Sequence, residues 1–106
     1  ERLKAALPET NEINIINYHD ALYVNPNSPL VQALLNAYRK VTGDSSARPK
    51  AIGGATYARV LKNGVAFGPT MPGAESLAHQ PNERVSIKDF NTMIDIYYEA
   101  LKTLVF

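Results

Sequence analysis

The sequence predicts an α/β fold, and three observations carry the prediction. Two helical stripes, from Leu30 to Val41 and from Phe90 to Leu104, have apolar residues at spacings of three and four. Between them, short apolar runs at 50–52 and 65–67 each close on a glycine pair or a Gly-Pro step. From residue 50 onward the order strand, helix, strand, loop, helix is therefore that of an α/β sheet. In such sheets binding loops gather at the carboxyl ends of strands, so the loops after 50–52 and 65–67 share one rim if the strands are parallel.

Residues 2–7 (RLKAAL) read as the end of a helix stopped by Pro8, which lacks an N–H and clashes with the preceding turn. Ile13, Ile15 and Tyr18 lie in a β-prone run, expected to be a strand at 12–18. From His19 to Asn27 the chain is an extended connector, because Pro26 and Pro29 restrict the residues before them. Ser28-Pro29 starts the next helix, with a serine cap and a proline at the first helical position. Leu30, Leu34, Tyr38 and Val41 form its apolar face, and Gly43 supplies a left-handed stop. Ala55–Lys62 reads as a short helix and Asn63-Gly64 as a turn. Residues 70–84, with Pro, Gly, Asn and Gln and little periodicity, form a long loop of the kind that is often functional. Ser86 and Asp89 form a capping box for the last helix, whose predicted core stripe is Phe90, Ile94, Tyr97, Leu101 and Leu104.

With 106 residues and 45% hydrophobic content, the chain fits one globular unit. A net charge of +1 with dispersed Lys and Arg argues against nucleic acid, and the apolar runs fall far short of the roughly 20 residues of a membrane span. The lack of cysteine rules out disulfides and thiolate zinc sites, and fits a reducing, cytoplasmic setting. Beginning at Glu1 rather than Met is expected of a truncated or processed piece, and equally of a trimmed tag.

Two stretches carry candidate chemistry. Gly53-Gly54-Ala55-Thr56-Tyr57-Ala58-Arg59 is a strand-to-helix turn in which the glycines allow close backbone approach and the helix start offers N–H groups to an anion. Thr56 adds a hydroxyl, and Arg59 either pairs a carboxylate or lies on the surface. A tight turn with no ligand is equally compatible with two glycines. Ala78-His79-Gln80-Pro81-Asn82-Glu83 holds one of only two histidines; the other, His19, has no spacing partner. His79 has three possible roles: metal ligand, general base, or a loop histidine satisfied by a carbonyl. The last is favoured for the residue taken alone. A metal site takes three or four protein ligands, so His79 would need most of its partners from elsewhere.

The ordered set Ile52–Arg59, Val65-Ala66-Phe67-Gly68-Pro69, Met71-Pro72-Gly73 and His79-Gln80-Pro81-Asn82-Glu83 resembles the C-terminal part of the carnosinase-like (Xaa-His type) dipeptidases, in the aminoacylase and desuccinylase family of metallopeptidases. The resemblance runs from about residue 19 to the end, and departs where Ala55 replaces a usual third glycine. It implies a catalytic domain with two zinc ions (manganese and cobalt can share such ligands) and an inserted α/β lid. Residues 1–18 would then be the lid's last helix and strand, 19–27 the hinge, and 28–106 the closing part of the catalytic domain. His79 matches the family's last zinc-ligand histidine. Gly53, Gly54, Thr56 and Arg59 match a segment facing the substrate's carboxylate, and Asn82 and Glu83 would support the histidine loop from behind. The remaining ligands and the glutamate base would come from upstream, so no residue here is expected to be the base. The implied reaction is zinc-assisted hydrolysis of small peptides with a free C-terminal carboxylate, under a closing lid. The implied partners are a dipeptide and the remainder of the same polypeptide. The competing expectation is a free-standing α/β module that binds an anion at the glycine turn, or that oligomerises through an unpaired strand at 12–18.

Overall fold

The computed structural model describes residues 2–68 and 70–105. These residues form three α-helices, α1 (Arg2–Ala6), α2 (Pro29–Thr42) and α3 (Ile87–Val105), and one turn of 3-10 helix at Tyr57–Val60. The sequence stops and starts these helices much as expected. Ser28 caps α2 from extended backbone (φ −63°, ψ 150°), its Oγ accepting the Val31 N–H at 3.4 Å, with Pro29 at the first helical position. Gly43 ends α2 at φ 72°, its N–H donating to the Arg39 carbonyl at 2.9 Å. Ser86 Oγ accepts the Asp89 N–H at 3.0 Å at the start of α3. The reciprocal half of that box is not made, since Asp is one methylene shorter than the Glu it needs.

α2 and α3 pack against each other and form the core. Leu34 and Ala37 meet Ala100, and the two alanines permit close approach; Leu30, Val65 and Phe67 pack around this contact. A 2.6 Å ion pair between Lys40 and Glu99 ties the helices at their rim. The Phe67 ring meets Tyr97 edge-on, with centroids 5.9 Å apart, while Tyr97 Oη donates to the Phe67 carbonyl at 3.2 Å. Among the described residues α1 packs against none of the other helices.

The α/β class is corrected by the structure: no strand forms among the described residues. A strand needs a second segment to take its N–H and C=O groups, and the runs at 12–18, 50–52 and 65–67 find none among the described residues. Ile15 and Ile16 are instead exposed, Ile16 at 99%. The run at 65–67 keeps its in–out alternation, with Val65 and Phe67 half-buried and Ala66 exposed, but it lies on the helix pair rather than in a sheet. Pro69, expected to close that run, lies outside the described residues. The helix expected at 55–62 contracts to the single turn at 57–60.

α3 is also turned from its expected orientation. Its buried residues are Ile96 and Ala100, whereas Phe90, Ile94, Tyr97, Leu101 and Leu104 are exposed. At 3.6 residues per turn the two sets lie about a quarter turn apart. The small Ala100, set against Leu34 and Ala37, lets the two helices approach closely, so the face that carries it turns inward together with Ile96 and leaves the bulkier stripe outward. The radius of gyration is 18.4 Å, against about 13 Å for a compact domain of this size. The accessible surface is 9374 Å², against about 5,800 Å² for a compact monomer of the same mass.

Candidate functional site

The loop before α3 is built from two successive turns. The Gln80 N–H donates to the Leu77 carbonyl at 2.9 Å, and the Glu83 N–H donates to the Gln80 carbonyl at 3.2 Å. The third residue of each turn has positive φ: His79 at 61° and Asn82 at 62°. That is the sign of a type II turn, which places proline second and glycine or asparagine third, as Pro81-Asn82 does. His and Asn are among the side chains enriched in this left-handed region. Arg84 Nη2 donates to Glu75 Oε2 at 2.6 Å and closes the loop at its base. Inside the loop Leu77 is half-buried, while His79, Asn82 and Glu83 are exposed. His79 thus stands at the corner of a turn, its ring free of hydrogen bonds to any described residue.

Asn82 shapes the second turn through its backbone and Glu83 closes it with its N–H; among the described residues, neither side chain hydrogen-bonds to His79. A single exposed imidazole fits one position in a metal's coordination sphere. No group of three His, Cys, Asp or Glu side chains able to hold a metal ion exists among the described residues. A metal site takes three or four protein ligands, so the described residues do not make up a complete centre by themselves. His19 is exposed in the connector, beside the Tyr18–Asp20 hydrogen bond of 2.9 Å.

At the glycine turn, a Cβ added to Gly53 or Gly54 would meet nothing within 4 Å, and neither has positive φ. Neither of the local reasons for glycine applies, so the flank stands open to a group from outside. Thr56 caps the 3-10 turn, its Oγ1 accepting the Ala58 N–H at 3.3 Å. A hydroxyl used as an acceptor keeps its hydrogen to donate. Thr56 and Arg59 line one open concavity together with Ala55, Tyr57 and Val60. Arg59 makes no ion pair among the described residues, and Tyr57 is 95% exposed. No hydrogen bond or shared concavity joins this turn to the His79 loop among the described residues. The clamp between Glu75 and Arg84 and the positive φ at His79 escaped the sequence reading. The Pro81-Asn82 dipeptide was the available signal for the second turn.

The family model for peptidase family M20/M25/M40 matches residues 7–103. The chain belongs to this family. Its curated relatives include a Staphylococcus epidermidis protein called "Putative dipeptidase", 48% identical over 82 residues, which are 77% of this chain and 17% of the relative. Proteins of the same description from Staphylococcus haemolyticus and Staphylococcus aureus are 48% and 46% identical over the same shares. The chain thus spans about a sixth of the length of the curated relatives it matches. No solved structure matches it. Among the described residues, no helix is long and apolar enough to cross a membrane.

Proposed function

We propose that this chain is the C-terminal portion of a zinc-dependent dipeptidase, to which it contributes one metal ligand and part of the substrate wall. The observation that carries the reading is His79: an exposed imidazole, unpaired among the described residues, at the corner of a clamped double turn, in a chain of the M20 peptidase family. When bound, zinc supplies Lewis-acid polarisation of a peptide carbonyl. His79 donates one ring nitrogen to it, and the double turn holds the imidazole in place. Thr56 Oγ1 keeps a hydrogen for the substrate's C-terminal carboxylate, and the guanidinium of Arg59, which makes no ion pair among the described residues, offers a second, charge-assisted partner to the same group. Gly53 and Gly54 leave the flank clear for the peptide backbone to approach.

In this reading residues 1–18 end a lid, 19–27 form the hinge, and 28–106 close the catalytic domain. The separation of α1 from the helix pair and the exposed apolar stripe of α3 support it, because both leave surface for further polypeptide to cover. The free-standing anion-binding module loses support, since the helix after the glycines is one 3-10 turn whose Ala58 N–H is already taken by Thr56.

The test is hydrolysis by the full-length protein. It should cleave dipeptides with a free C-terminal carboxylate, lose activity to a chelator, recover it with zinc, and turn over C-terminally amidated peptides at least about tenfold more slowly. Equal rates on free and amidated peptides would remove the role given to Thr56 and Arg59. Full activity in the presence of chelator would remove the metal.

A further inference from the structure

The ion pair between Glu75 and Arg84 has no part in the function proposed above, yet it sits where it can control the presentation of His79. We propose that Glu75 and Arg84 are positioning residues: their contact favours the double-turn geometry that presents the His79 imidazole to a metal. This rests on the reading of His79 as a ligand.

The chain is anchored on both sides of the pair. Met71 is buried and its carbonyl accepts the Ala74 N–H at 3.0 Å, just before Glu75. Ser86 caps α3 two residues after Arg84. Between these anchors both turn hydrogen bonds and both positive-φ residues lie inside the bridged span. Left-handed backbone is tolerated by His and Asn but is uncommon outside glycine, so two such corners leave the loop responsive to a contact that bridges it. Among the described residues, the 2.6 Å contact is the one side-chain hydrogen bond that spans the loop. Both side chains are well exposed, so the contact is a weak latch, able to change the population of the presenting form a few-fold but not to create it.

The experiment uses the full-length protein. Glu75→Gln, Arg84→Gln and the double exchange Glu75→Arg with Arg84→Glu are compared with the wild type and with His79→Ala. Two quantities are read: hydrogen exchange of the peptide covering residues 77–84 in metal-free protein, and zinc retention against a competing chelator. Each single variant should speed exchange and weaken zinc retention by about two- to fivefold, and the double exchange should restore both. Wild type in high salt should behave like the single variants, because screening acts on an exposed pair. Unchanged exchange in the single variants overturns the latch, whatever zinc does. Faster exchange with unchanged zinc retention overturns its positioning role while leaving His79 a ligand. Undiminished zinc in His79→Ala overturns the ligand reading itself, and the exchange data then show a latch with no metal to serve.

Discussion

At the scale of single residues, the loop's geometry depends on two left-handed corners. Asn82 occupies the third position of a turn whose second residue is proline, the arrangement that type II geometry favours. Glycine at that position removes the Cβ conflict, whereas a β-branched residue meets it in full. Asn82→Gly should therefore leave the loop's protection nearly unchanged, and Asn82→Val should cost it about 1–2 kcal/mol, measured as faster exchange of the Glu83 amide. His79 occupies the corresponding corner of the preceding turn. The sequence marks the residues that matter here, since His79 and Pro81-Asn82 are legible as a lone imidazole and a turn dipeptide. What it hides is the distance relation between Glu75 and Arg84, because two charges nine residues apart imply no contact until the turns between them are known.

At the scale of elements, caps and stops were the legible part. Ser28-Pro29, Gly43 and Ser86 bound their helices as their side-chain and backbone chemistry requires. The face of α3 was not legible, because its sequence carries apolar residues around more than half its circumference. Periodicity finds the bulkiest stripe, while contact with α2 is decided by Ala37 and Ala100, whose small side chains carry little weight in such a pattern. The strands failed for a different reason: alternation marks a side-chain pattern, but pairing needs a partner segment. The pairing of α2 with α3 should also respond to pH. The hydrogen bond from Lys40 holds the Glu99 carboxyl below the usual glutamate range; desolvation opposes it, and the charges of Lys40 and Lys102 add to the lowering. A lowered folded-state pKa gives stability that is present above the unfolded value and is lost as pH falls through the folded one. Thermal unfolding of the wild type should weaken across that acid range, and Glu99→Gln should flatten this part of the profile while lowering stability at neutral pH. Parallel profiles for the two proteins would show that the ion pair contributes nothing to the helix contact.

At the scale of the whole molecule, the surface is the main fact. A radius of gyration of 18.4 Å and an apolar stripe along α3 describe a chain whose own core, centred on Leu34, Ala37 and Ala100, covers only part of its hydrophobic residues. The chain belongs to the M20/M25/M40 peptidase family and spans about a sixth of the length of the curated relatives it matches. Under the function proposed above, His79 supplies one imidazole to the metal, and the described residues hold no group of three His, Cys, Asp or Glu that would complete the site. The most direct measurement is the zinc content of the purified full-length protein, wild type against His79→Gln, by elemental analysis per polypeptide. The variant, while still folded by circular dichroism, should lose about one metal equivalent relative to the wild type. Identical zinc content in the two proteins would contradict it.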